Sequence, residues 1–182
     1  MALTPSKMLP LDTPAPDFDL LDAVSGEHFT LASFAEAPAL CVLFICNHCP
    51  VVIHVRDEIT KVASEYTDVA FVAINSNDIE NYPQDGPEHM KALAEELGWK
   101  FPFLFDEEQS VARAYDAACT PDFYVFDRER KLVYRGRLDG SRPESGVPLT
   151  GEDLRGALDA ALQDERVAEQ MPSMGCNIKW KA

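Results

Sequence analysis

The apolar residues from Leu40 to Ile45 run without interruption into Cys46-Asn-His-Cys-Pro50, where the pattern changes period. Val52, Val55, Ile59, Val62 and Tyr66 then recur at steps of three and four, the stripe of a helix with one face on a core. A buried strand feeding such a helix is half of an α/β unit, and it sets Cys46 and Cys49 at the junction. Pro50 suits a first helical turn, where its missing N–H costs nothing. The unsatisfied N–H groups and positive dipole end at that point favour a thiolate. Because the thiolate is the nucleophile in disulfide exchange, the junction predicts redox chemistry.

A zinc site would ask for more. Structural zinc takes four ligands, commonly two C-x-x-C pairs or one pair with spaced histidines. This chain has a single C-x-x-C, and His48 and His54 lie too close to it to complete that pattern. Burial by accident would not supply a helix start with a proline behind it.

At 182 residues the chain reads as one domain over 1–182, large enough to bury a core without a metal or disulfide staple. Its five cysteines are odd in number and scattered, which is not a disulfide framework. No apolar stretch approaches the roughly 20 residues of a membrane helix. The opening M-A-L-T-P-S-K-M-L-P lacks the charged start and apolar run of a signal peptide. A cytoplasmic, reduced setting is therefore expected, with no membrane partner. A net charge of −15 would repel phosphates, so nucleic acid is excluded as a partner. A monomer or dimer is expected.

Along the chain, residues 1–16 carry Pro5, Pro10, Pro14 and Pro16 and read as an extended arm. Phe18 and Leu20, then His28 to Leu31, flank Ser25-Gly-Glu27 as a hairpin. Val69 to Ile74 is a second apolar run, as for a strand covered on both faces. Polar Asn75 to Asp78 closes it, and Tyr82 to Pro87 is a loop. Glu88 to Leu97 reads as a helix stopped by Gly98, Phe101 to Phe105 as a strand, and Ser110 to Ala117 as a short helix. Asp122 to Phe126 and Leu132 to Gly136 form a hairpin, and Thr150 caps a last helix whose apolar side holds Leu154, Leu158, Ala161 and Leu162. The tail, 170–182, has no strong period, yet Met174, Ile178 and Trp180 call for packing. The order predicts an α/β fold: a central mixed β-sheet with helices on both faces and an extra N-terminal β-hairpin.

With C-x-x-C at a strand–helix junction and Thr120-Pro121 opening a later strand, the chain resembles the thioredoxin fold over roughly residues 12–165. The hairpin and the insertion after Ile74 make it most similar to the redoxin branch. C-N-H-C-P, C-T-P-D-F and G-C-N-I-K-W are similar to a family of peroxiredoxin-like proteins of the AhpC/TSA type. The resemblance implies Cys46 as attacking thiolate, facing solvent, and Cys49 as the more buried resolving thiol. It implies that His48 steadies the Cys46 thiolate, as in strongly oxidising disulfide oxidases, and that Pro121 is a cis-proline against the disulfide. Thr120, Pro50 and Asn47 would meet the substrate, a protein or small-molecule thiol or disulfide, with no cofactor. Cys46 is then expected to have the lowest pKa of the five thiols. Cys41 and Cys119 read as core residues. Cys176 is a candidate third redox thiol, since peroxiredoxins often keep a resolving cysteine near the C-terminus.

The departures are specific. The buried aspartate of thioredoxins is Leu40 here, and the tryptophan before the first cysteine is Ile45. Aligned on peroxiredoxins, Cys49 would attack the peroxide, but their threonine is Cys46, their proline is Val42, and Thr120-Pro121 occupies the region of their arginine. Dithiol–disulfide exchange is the favoured reading. A peroxidase for hydroperoxides is the alternative, and a module binding a soft metal such as Cu(I) through Cys46, Cys49 and His48 is a third.

Overall fold

The computed structural model describes residues 3–182, so the first two residues of the arm over 1–16 lie outside it. In chain order the elements are β1 (Thr4–Pro5), β2 (Asp19–Asp22), β3 (His28–Thr30), β4 (Ala39–Phe44), α1 (Pro50–Glu65), β5 (Val69–Asn75) and α2 (Pro87–Leu97). There follow β6 (Phe103–Phe105), α3 (Ser110–Ala114), β7 (Cys119–Thr120), β8 (Asp122–Phe126), β9 (Leu132–Gly136), α4 (Glu152–Leu162) and β10 (Met174–Asn177). Seven strands form one mixed sheet in the order β3-β2-β6-β5-β4-β8-β9. β4, β5 and β6 run parallel, while β2, β3, β8 and β9 join antiparallel.

The unbroken apolar run of β4 follows from its place inside this sheet. Cys41 and Leu43 face a core built with α1, α2 and α4, whereas Leu40, Val42 and Phe44 face a second core with α3, Phe18, Tyr115 and Ile178. A strand covered on both faces has no solvent side to write in polar residues. α1 spends its apolar stripe on the first core, burying Val52, Val55, Ile59 and Val62. Each such side chain contributes on the order of 2 kcal/mol. That burial fixes the first turn of α1 against the C-terminal end of β4. Among the described residues no helix is long and apolar enough to cross a membrane.

Some local bounds differ from those expected, and β6 begins at Phe103 rather than Phe101. α3 stops at Ala114 rather than continuing to Ala117. The N-cap of α4 is Gly151, in the left-handed region at φ 65°, and not Thr150. Buried Asp139 takes the N–H groups of Thr150 and Gly151 at 2.7 and 2.6 Å, which holds both residues in the preceding loop.

The tail closes the molecule. β10 lies between β1 and β7 in a separate three-stranded sheet, with Cys176 opposite Thr120 and Asn177 opposite Cys119. Gly175 permits the approach, because a Cβ there would run into the Thr120 carbonyl. The Ile178 N–H then bonds the Ala118 carbonyl at 3.0 Å, and the Lys179 N–H bonds the Asn77 side-chain oxygen at 2.9 Å.

Candidate active site

Past β4 the chain makes one more sheet contact, Ile45 N–H to the Ile74 carbonyl at 3.0 Å, and then turns out of the sheet. Cys49 is the N-cap of α1 and Pro50 its first residue; the Cys49 carbonyl accepts the Ile53 N–H at 2.9 Å. Cys46 and Cys49 are both reduced, with no disulfide between them, and are in mutual contact. Around them stand Thr120, whose hydroxyl lies 3.6 Å from Cys46 Sγ and whose carbonyl oxygen lies 3.3 Å from Cys49 Sγ, and the cis Thr120–Pro121 peptide. His48 Nδ1 is 4.0 Å from Cys46 Sγ.

The solvent-facing Cys46 of the sequence reading is not what is found: Cys46 is 1 % exposed and Cys49 0 %. The loop after β5 packs beside this turn, and the charge of its Asp85 acts on Cys46. Tyr82 stacks on the His48 ring, centroids 5.3 Å apart, and the Lys179 ammonium lies 5.7 Å above Tyr82. His48, with 22 % of its side chain exposed, and half-buried Asn47 are the part of the cluster nearest solvent. The Asn47 Oδ1 is buried without a hydrogen-bond partner among the described residues. Pro50 is exposed on the rim.

Asp85 is the residue that sequence reasoning missed. Its carboxylate is fully buried and accepts the backbone N–H groups of Asn47 and His48 at 2.9 and 3.0 Å. It also accepts the Asn77 amide at 3.0 Å and the His48 Nδ1–H at 2.5 Å. Asn75 donates to its backbone carbonyl at 2.6 Å. Asp85 therefore shapes the C-N-H-C loop from behind and supplies a buried carboxylate beside the cysteines, although Leu40 stands where thioredoxins have theirs. Since the His48 Nδ1 hydrogen goes to Asp85, that nitrogen does not also serve Cys46.

The electrostatics order the sulfurs. Cys49 is held well below the usual thiol range because the Cys176 and Cys46 thiols both donate to it and the Val52 N–H points at it, which outweighs burial. Cys46 is pushed up by its hydrogen bond to Cys49, by burial and by the Asp85 charge. Cys176 is pushed up by its hydrogen bond to Cys49 and by burial. The cluster thus keeps its thiolate on Cys49, which corrects the expectation that Cys46 has the lowest pKa. Burial pushes Cys119 to about 12 and lifts Cys41 further, as suits core residues.

The Thr120 hydroxyl is the small lever on this balance, because its hydrogen bonds favour the charged form of both sulfurs. Thr120→Val should slow disulfide exchange about fivefold, the equivalent of one hydrogen bond of about 1 kcal/mol. Thr120→Ser should restore the rate, and a serine variant as slow as the valine one would assign Thr120 a packing role only.

Cys46, His48 and Asp85 also offer three ligand atoms within 4.8 Å of one another. The four lone-pair sites of Asp85 are already taken by its four donors, so the carboxylate has no free acceptor for an ion.

Solved structures share this arrangement of elements. An uncharacterised conserved protein from Geobacillus kaustophilus is 54% identical, with 100% of this chain and 97% of that one covered at a TM-score of 0.96. A hypothetical protein from Sinorhizobium meliloti is 49% identical over 98% and 99% of the two chains, TM-score 0.95. The fold extends to a secreted Mycobacterium tuberculosis disulfide oxidoreductase homologous to E. coli DsbE, at 17% identity, TM-score 0.63, covering 79% and 95%. No curated protein matches the chain. The redoxin family model matches residues 10–148, from the arm through the cysteine junction and the cis-proline to the loop before α4, and the chain belongs to the redoxin family.

Proposed function

We propose that the chain is a thiol–disulfide oxidoreductase in which Cys46 and Cys49 alternate between dithiol and disulfide. Membership of the redoxin family supports thiol redox activity. The observation that carries the finer reading is the contact of the two sulfurs at the α1 N-terminus, with the thiolate favoured on Cys49.

A substrate thiolate arrives over Asn47 and His48 and attacks Cys46 Sγ of the oxidised pair. The Cys46–Cys49 bond breaks, and Cys49 departs as a thiolate received by the Val52 N–H and the Cys176 thiol. A second substrate thiolate attacks the substrate sulfur of the mixed disulfide. Cys46 is released and takes a proton, so two substrate thiols leave as one disulfide and the protein disulfide becomes a dithiol. A leaving thiol of low pKa leaves faster, and a stabilised thiolate makes the disulfide more oxidising. Electrons therefore flow from substrate to protein. The acidic surface suits a substrate protein with a basic rim. A cytoplasmic setting belongs to the same proposal.

The stabilised Cys49 also favours a second reading, attack of that thiolate on a hydroperoxide. Among the described residues the cations near the cluster are engaged elsewhere: the Lys179 ammonium donates to the Asn177 carbonyl and side-chain oxygens at 3.0 and 2.9 Å. Arg135, the buried arginine nearby, is engaged with Asp122 at 3.0 Å and lies 4.5 Å above the Tyr124 ring. Oxidised protein mixed anaerobically with a reduced dithiol peptide should convert it to the disulfide in a one-to-one ratio. Turnover that needs hydroperoxide as the oxidant, with no exchange in its absence, would hand the site to the second reading.

A further inference from the structure

The cysteine cluster has three members. β10 pairs with β7 so that Cys176 lies opposite Thr120, the residue that touches both Cys46 and Cys49. The missing Cβ of Gly175 is what lets this strand come so near. The Cys176 thiol donates to Cys49, and the first turn of α1 sends the Val51 N–H to Cys176 and the Val52 N–H to Cys49. Two of the N–H groups that a helix leaves unsatisfied at its start are thus divided between two sulfurs. Cys49 is the middle sulfur, in contact with one thiol on each side. Cys176 is 2 % exposed, as buried as the other two sulfurs, and Cys49 is its sulfur neighbour in the cluster.

We infer that Cys176 exchanges with the Cys46–Cys49 disulfide, so that the oxidised protein holds two isomers, Cys46–Cys49 and Cys49–Cys176. The inference rests on the exchange reading above and adds a step within the protein. The Cys176 thiol gives up its proton, and its sulfur attacks Cys49 Sγ. The Cys49–Cys176 bond forms as the Cys46–Cys49 bond breaks, and Cys46 departs as a thiolate that takes the proton. No electrons enter or leave. The oxidising equivalent moves from the pair nearer the His48 rim to one beneath the tail, and β10 becomes covalently tied to α1. In that state Cys46 is a thiol beside His48 and cannot accept a substrate thiol. The second isomer therefore withholds the disulfide from exchange until Cys46 attacks Cys49 and restores it.

The test is disulfide mapping by mass spectrometry after acid quenching, with oxidised glutathione as the oxidant. Wild type should contain both isomers, the second within about tenfold of the first. Cys46→Ser should form an internal Cys49–Cys176 disulfide, and Cys46→Ser/Cys176→Ser should instead keep glutathione on Cys49. Thermal melts of the reduced variants check that each is folded, and Cys46→Ala serves where the serine variant is not. Glutathione retained on Cys49 of Cys46→Ser with Cys176 still a thiol, together with wild type showing Cys46–Cys49 alone, would overturn the inference and leave the exchange reading standing. Wild type without any Cys46–Cys49 bond would instead overturn the exchange reading. Cys119 and Cys41 should stay reduced throughout.

Discussion

Asp85→Asn should cost the reduced protein about 3 kcal/mol and, in a Cys49→Ser background, move the ultraviolet thiolate titration of Cys46 to lower pH. The stability term follows from four donors converging on a fully buried carboxylate. An amide of the same shape presents two hydrogens to that set, so at least one buried donor loses its acceptor and the His48 contact loses its charge. The titration has the opposite sense. The Asp85 charge disfavours a Cys46 thiolate, so its removal makes that thiolate easier to form. The Cys49→Ser background removes the sulfur that otherwise dominates the Cys46 titration. Urea unfolding and the titration together check both halves. A variant as stable as its parent, or a Cys46 titration that moves upward, would mean that Asp85 does not act on the site as described.

Cys46→Ser and Cys49→Ser should each lower turnover at least about a thousandfold, because the two sulfurs act as one unit and half of a dithiol cannot complete the cycle. The two variants should differ in what they trap. Cys49→Ser keeps a mixed disulfide between Cys46 and the substrate, since no neighbour remains to release it. Cys46→Ser should give no productive adduct with substrate. Cys41→Ser and Cys119→Ser, changes in buried residues outside the cluster, should keep turnover within about twofold once corrected for folding. Turnover that survives in Cys46→Ser/Cys176→Ser would move the chemistry to Cys49 alone and favour the hydroperoxide reading.

What could be read in the sequence is what is local. The run from Leu40 to Ile45, the helical period from Val52 to Tyr66 and the proline after Cys49 record burial and capping within a few residues of one another. They located the β4–α1 junction and its two cysteines. The hairpins and the mixed sheet were legible for the same reason. Asp85 was not. It reaches Asn47 and His48 from 38 and 37 residues away, through a loop whose sequence reads only as polar residues before a Pro/Gly turn. Nothing in Asn75, Asn77 or Asp85 announces that they meet. β10 was missed as a strand because Met-Gly-Cys-Asn carries no alternation, and its pairing depends on β1 and β7 far away in the chain. The burial of Cys46 and the thiolate preference of Cys49 follow from those same distant elements. A reading from the helix end alone places the lowest pKa on Cys46, whereas the surrounding donors lower that of Cys49.

The most direct test of the account is an equilibrium titration of the protein in mixtures of reduced and oxidised glutathione, with acid quenching and counting of the thiols that remain at each cysteine. The Cys46 and Cys49 thiols are expected to be lost at one midpoint, in a single two-electron transition in which Cys49 is consumed fully and Cys46 to the extent that Cys176 does not take its place, at a potential nearer the strongly oxidising end, about −120 mV, than that of thioredoxin, about −270 mV. Cys46 and Cys49 remaining thiols across the whole range, or titrating independently of each other, would contradict it.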